Sequence, residues 1–76
     1  MNTQRRKLLH EIAEKIEQLK ADLELLKDEE QEYFDNMPES FQMGEKGDKA
    51  QSAIDNLDYA IDNLQEAYDN ITEATE

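Results

Sequence analysis

The only histidine of the chain, His10, is the first residue to consider for catalysis. It is followed four residues later by Glu14, on what we expect to be the outer side of a helix. No serine–histidine–aspartate or cysteine–histidine arrangement can be built around it, and no His-x-x-x-His pair is present to bind zinc. A surface histidine paired with a carboxylate is the more ordinary interpretation, so we expect a protein that is not an enzyme.

Carboxylates are abundant, which makes a metal site the next chemistry to consider. Di-iron bundles use inward-facing Glu-x-x-His motifs, and no glutamate here has a histidine three residues later. The segment from Asp55 to Glu66 lacks both the spacing and the glycine of a calcium-binding EF-hand loop. An acidic cluster before the predicted turn is typical of a solvated surface; it contains Asp28, Glu29, Glu30, Glu32 and Asp35. The sequence therefore predicts neither a metal site nor a cofactor.

A seven-residue unit that begins with Ala53 is repeated along the last third of the chain, and each copy carries an Asp-Asn pair. Asp and Asn are weak helix formers, so Glu or Lys would serve a merely solvated surface better. The repeated pair reflects either duplication of the unit or a surface that needs short, rigid carboxylates. On the second hypothesis the residues that bind a partner are Asp28, Glu29, Glu32, Asp35, Asp55, Asp58, Asp62 and Asp69.

Net charge restricts the class of partner. The 76 residues carry a net charge of −12, of which residues 1–27 contribute +1, residues 28–48 contribute −7 and residues 49–76 contribute −6. Such acidity repels nucleic acids and anionic membranes, so a direct partner of either kind is not expected. The expected partner is instead a protein that is basic or that binds nucleic acid. Two copies, at −12 each, would carry −24 along a helix pair of about 50 Å, a linear charge density close to that of DNA.

Composition leaves few other classes open. The chain has no cysteine, which removes disulfides and thiolate metal sites. Its N-terminus has too short an apolar run for a signal peptide, and no stretch is long and apolar enough to span a bilayer. We expect a cytoplasmic protein.

Apolar residues recur at alternating spacings of three and four in two segments, which is typical of helices that pack along their whole length. The first predicted helix spans residues 3–37, capped by Asn2 or Thr3 and ended by Pro38. Its predicted seam, the stripe that faces the other helix, contains Leu9, Ile12, Ile16, Leu19, Leu23, Leu26, Glu30, Tyr33 and Met37.

Residues 38–48 are predicted to form a loop that lets a second helix, residues 49–75, fold back on the first. Gly44 and Gly47 would supply turn conformations, and Asp48 would open the second helix with a capping box. The predicted fold class is thus all-α, a single domain made of an antiparallel helical hairpin.

The apolar surface is wider than one seam, as in the helices of bundles, so we expect two hairpins to dimerise into a four-helix bundle. Glu30 interrupts the first seam and is interpreted either as a residue that sets register or oligomeric state, or as a side chain that reaches solvent at the edge of a layer. The predicted seam of the second helix contains Ala50, Ile54, Leu57, Ile61, Leu64, Tyr68 and Ile71. A column of alanines beside this second seam marks the expected close helix–helix approach. The predicted oligomer interface contains Leu9, Ile12, Ile16, Leu19, Leu23, Leu26, Ala53, Ile54, Leu57, Ala60, Ile61, Leu64, Ala67, Tyr68 and Ile71.

The stretches Glu32–Ser40 and Lys49–Leu57, with Asp35–Glu39 as the most specific part, resemble small acidic helical proteins of Gram-positive prophages and mobile elements. The resemblance implies a phage setting inside a bacterial host cell and implies no enzymatic activity. It also raises the hypothesis that the chain inhibits host DNA-directed defence proteins of the restriction or CRISPR type.

Two functions follow from the sequence. In the first, the acidic surface of a non-enzymatic protein-binding module engages a basic host protein and imitates the charge of nucleic acid. In the second, the chain is a structural or assembly protein whose apolar contacts carry the function and whose acidity keeps it soluble. Ionic strength separates the two, because binding through the acidic surface weakens with salt and apolar assembly does not.

Overall fold

The computed structural model describes residues 1–76 and contains three helices and no strand. They are α1 (Thr3–Asp35), α2 (Glu39–Gln42) and α3 (Glu45–Ala74). The molecule is a rod of 58 × 14 × 12 Å. The predicted all-α class is therefore confirmed.

Helix α1 begins where the sequence predicts and ends slightly earlier. The side chain of Asn2 accepts a hydrogen bond from the backbone N–H of Arg5 at 2.8 Å, so Asn2 is the N-cap. The helix ends at Asp35, two residues before the predicted end, with Asn36 as its C-cap. The ring of Pro38 disfavours helical geometry in the residue before it, which moves the last helical residue away from Met37.

The predicted loop contains more helix than expected. Helix α2 occupies part of it, and α3 begins at Glu45 rather than residue 49, with Gly44 at the N-cap. The capping box predicted at Asp48 is wrong, because the N–H of Asp48 already donates to the carbonyl of Gly44 inside the first turn of α3.

Gly47 is a buried residue of α3, where the sequence predicted a turn. A Cβ atom at this position would collide with the backbone carbonyl of Gln42 and lie 2.7 Å from its Cα. Neither glycine adopts a positive φ. Gly47 is therefore suited to this position because α2 crosses close to α3, and not because the backbone turns there.

Helix α3 lies beside α1 and runs in the opposite direction. Three side-chain contacts fix the register, and they join His10 to Thr75, Lys20 to Gln65 and Lys27 to Asp58. From one contact to the next, the position moves along α1 by as many residues as it moves back along α3. The start of α1 and the end of α3 therefore share one end of the rod, and α2 lies at the other.

The seam of α3 follows the predicted columns. Ala50, Ile54 and Ile61 are buried at 4%, 4% and 9% exposure, and Gly47 is buried with them. Leu57, Leu64, Tyr68 and Ile71 are half-buried beside them. The heptad positions of this helix were thus predicted correctly.

The predicted seam of α1 is only half right. Leu9, Ile16 and Leu23 are half-buried against α3, whereas Ile12, Leu19, Leu26 and Tyr33 are exposed. The place predicted for these four residues, beside Leu9, Ile16 and Leu23 in the seam, is taken by a different column of α1, which contains Arg6, Ala13, Lys20, Lys27 and Phe34. Ala13 is buried at 6% exposure, and its small side chain lets α3 approach closely. The two lysines lay their methylene stems along the seam and place their ammonium groups on polar partners of α3.

Candidate protein-binding surfaces

The two long sides of the helix pair differ in chemistry. The polar flank is the side where α1 and α3 are joined by hydrogen bonds. Lys20 donates to Gln65, Lys27 donates to Asp58 at 2.7 Å, and the His10 ring lies 3.2 Å from the Thr75 hydroxyl. The hydrogen bond and negative charge of Asp58 raise the pKa of Lys27 above its usual value. This flank is therefore closed by contacts within one chain.

The predicted seam did not contain Lys20 and Lys27, although the sequence carries a signal for them. They are seven residues apart, and so are their partners Asp58 and Gln65 on the neighbouring helix. Matched seven-residue spacings of donors and acceptors on two antiparallel helices indicate a polar column beside the seam. His10 contacts a threonine hydroxyl and not the expected carboxylate.

The apolar flank is the opposite long side. Its α1 edge, the large-residue column, contains Ile12, Leu19, Leu26 and Tyr33 at seven-residue spacing, with exposures of 44%, 53%, 53% and 53%. Leu8 extends it toward the N-terminus with 49% exposure. An apolar column of this length has no partner within the chain.

The α3 edge of the apolar flank is the alanine column, Ala53, Ala60, Ala67 and Ala74. The first three alanines are half-buried, and Ala74 is exposed. A groove lined by both Tyr33 and Ala53 places the two columns on the same side of the rod. Each level of the apolar flank therefore presents one large residue from α1 and one alanine from α3.

The predicted acidic residues lie away from the apolar flank or at its outer edge. Asp28, Glu29, Glu32, Asp35, Asp55, Asp62 and Asp69 are exposed. Asp58 is the exception, because it is half-buried and held by Lys27, so it is not a free partner-binding carboxylate. In each heptad of α3 the alanine directly precedes a seam residue and the aspartate directly follows it. Because the alanines lie on the apolar flank, Asp55, Asp62 and Asp69 lie on the opposite side of α3, toward the polar flank. Gln51 and Gln65 donate hydrogen bonds to Asp55 and Asp69, four residues on.

Very little of this acidity is neutralised within the chain. Only three ion pairs form, Lys20–Glu17, Lys27–Asp58 and Lys49–Glu45, against twenty acidic residues. Glu30 is half-buried beside Tyr33 and takes part in none of them. No three or more histidine, cysteine or acidic side chains are grouped as metal ligands would be.

The α2 end of the rod carries a shallow groove of about 350 Å³. Tyr33, Met37, Pro38, Phe41 and Lys46 line it, together with Asn36. The ammonium group of Lys46 lies 5.4 Å from the centroid of the Phe41 ring, a cation–π distance. The groove is open and holds no cluster of convergent polar groups.

Comparisons with known proteins add no relative. No family model matches the sequence, no curated protein is significantly similar to it, and no solved structure significantly matches its fold. None of the helices combines the length and apolar character that crossing a membrane requires. Function must therefore be argued from the two flanks themselves.

Proposed function

We propose that this chain is a non-enzymatic helical hairpin that works by binding protein, and that its first partner is a second copy of itself. Two copies join through their apolar flanks and form a four-helix bundle. The observation that carries this proposal is the large-residue column, four apolar side chains about half exposed at seven-residue spacing. Contiguous apolar stripes of this kind belong to helices that are covered by another helix.

Surface area supports the same proposal. A compact monomer of 8.9 kDa exposes about 4,800 Å², whereas this chain exposes 5727 Å². The excess of roughly 900 Å² is close to the ~800 Å² that each partner buries in a standard interface. Only four apolar residues are buried within one copy, namely Ala13, Ala50, Ile54 and Ile61, so a second copy would cover apolar side chains that one copy leaves exposed.

Sedimentation equilibrium tests the dimer directly. At micromolar concentration we expect a species of twice 8.9 kDa, with the helix content of the rod unchanged on dilution until the copies separate. A chain that stays at the mass of one copy up to about 100 µM would contradict the proposal, since helix packing of this area normally gives at least micromolar affinity.

A second function is favoured by the unneutralised carboxylates. We propose that the acidic surface that a dimer leaves outside engages a basic, DNA-binding protein of a bacterial host, in the phage setting that the resemblance implies. Two copies carry −24 along 58 Å, one charge per roughly 2.4 Å, against about 1.7 Å for duplex DNA. Such a rod suits the basic groove of a nucleic-acid-binding protein and would be steered there by its field.

The aspartate column tests this second function. We expect the dimer to retain a DNA-binding protein from a Gram-positive lysate, and duplex DNA to displace that protein. The triple variant Asp55→Asn, Asp62→Asn, Asp69→Asn should lose the retention, because it removes three exposed charges from each copy. A matched control converts Asn56, Asn63 and Asn70 to Ser, which leaves the charge unchanged. Retention that is indifferent to DNA, to salt and to the triple variant would instead favour assembly as the whole function.

A further inference from the structure

The apolar flank is arranged in levels, and the register fixes what each level contains. The contacts that join His10 to Thr75 and Lys27 to Asp58 define which residues of α1 and α3 lie at the same height along the rod. When this pairing is continued along both helices, each residue of the large-residue column lies within one residue of an alanine of α3. The levels are Ile12 with Ala74, Leu19 with Ala67, Leu26 with Ala60 and Tyr33 with Ala53. For the last pair, the two side chains line one groove.

A second copy can cover such a flank in two ways that obey two-fold symmetry. If the axis runs along the rod, α1 of one copy lies over α3 of the other, and the two α2 ends lie side by side. If the axis crosses the rod, α1 lies over α1, and the α2 ends lie at opposite ends of the dimer. Both arrangements make neighbouring helices antiparallel, so helix dipoles do not distinguish them.

We infer that the axis runs along the rod, so that the large-residue column of each copy packs against the alanine column of the other. This inference rests on the dimer proposed above and specifies its geometry. With this axis, every level places a large side chain over an alanine, and the two faces interdigitate without voids. With the crossed axis, Leu19 meets Leu26 and the alanine columns face each other, which holds the helices apart on one side and leaves a gap on the other.

Electrostatics oppose this arrangement and do not overturn it. Residues 22–63, the α2 half of the rod, carry thirteen acids and three bases, a net charge of −10, whereas the rest of the chain carries −2. Placing two such halves side by side is repulsive. Helix layers in a bundle are 8–10 Å apart, about one Debye length at physiological salt, so salt weakens the repulsion to roughly a third. Packing acts at all four levels in both copies and is not screened.

Spin-label distances decide the orientation. The chain has no cysteine, so Ser40→Cys in α2 carries a single nitroxide per copy. We expect a label-to-label distance below about 30 Å, two or three helix layers. The crossed axis would give nearly the rod length of 58 Å and would overturn the inference. Asn63→Cys, near the middle of the rod, is the control, because its label gives a short distance in either dimer. If neither label shows a coupling, the dimer itself is refuted rather than its orientation.

Disulfide formation gives an independent test. An equal mixture of Leu26→Cys and Ala60→Cys chains should oxidise mainly to the heterodimer, at least tenfold over the mixture of Leu19→Cys and Leu26→Cys. The reverse preference would support the crossed axis and contradict the inference. Because each cysteine is small and replaces a half-exposed or alanine side chain, the fold of each copy is expected to survive.

Discussion

Truncating the large-residue column measures how much the apolar flank contributes to assembly. We consider the double variant Leu19→Ala, Leu26→Ala. Burying a whole leucine side chain contributes about 1.5–3 kcal/mol, and each of these leucines is 53% exposed in one copy. A dimer that covers the remaining half therefore gains about 1 kcal/mol from each. Two leucines in two copies give about 4 kcal/mol, of which alanine retains roughly a quarter through its Cβ.

The expected loss of about 3 kcal/mol corresponds to a roughly hundredfold weaker dimer, since each 1.4 kcal/mol is tenfold in Kd. Sedimentation equilibrium across a hundredfold concentration range measures it, with circular dichroism to verify that the helices remain. The matched control is Leu25→Ala. Leu25 is the most exposed leucine, at 62%, and lies on the outer side of α1. A Kd that changes less than threefold in the double variant, or that changes equally in the control, would refute the assignment of this flank.

Four further predictions concern stability and assembly. Gly47→Ala should lower the free energy of unfolding by about 1–3 kcal/mol, measured in urea, because its Cβ collides with the backbone at the end of α2; Gly44→Ala, whose Cβ would lie 3.3 Å from the nearest atom, should cost less. Asn2→Ala removes the N-cap bond and should cost about 1 kcal/mol in the same assay. Lys27→Met should be slightly less stable than the parent at pH 7. That difference should vanish as the pH rises through the lysine pKa, because the raised pKa of Lys27 makes the bond to Asp58 a contribution that exists only while the lysine is protonated. Dimer affinity should rise at least tenfold from 50 to 500 mM NaCl as the repulsion between acidic halves is screened, and a decrease would contradict the side-by-side arrangement.

The buried side of α3 was predictable because the columns of its heptad repeat differ sharply in chemistry. In the first two heptads of α3, an isoleucine has an alanine before it and an aspartate after it, and a leucine follows three residues later. Only one orientation of the helix therefore buries the large side chains and leaves the aspartates in solvent. The sequence therefore predicted that Ile54 and Ile61 lie in the seam, and both are buried.

The buried side of α1 was ambiguous, because this helix has apolar residues on both sides of the column of Leu9, Ile16 and Leu23. The alternating spacing of three and four assigned Ile12 and Leu19 to the predicted seam. In the folded chain the smaller Ala13 and the flexible stem of Lys20 take that place. Hydropathy cannot show this choice, because it depends on how closely α3 approaches and on the polar partners that α3 offers to lysine.

The path of the chain between the long helices was predictable only in outline. Pro38 correctly predicted the end of α1 to within two residues. The role of Gly47 was not predictable, since glycine inside a helix costs stability locally and its benefit comes from contact with a separate helix. Three-dimensional proximity decides such a position, and local sequence does not.

The small interior of a single copy has a consequence for how much of this protein a cell can keep. Four buried apolar residues in 76 give a separated copy a small core, so we expect it to be less stable than the dimer. If the dimer forms as proposed, folded protein accumulates only when the concentration of the chain in the cell exceeds the dissociation constant of the dimer. Below that concentration, newly made chains stay separate and are open to proteases. The cellular half-life would then rise with expression, so that a low dose is cleared and a high dose persists.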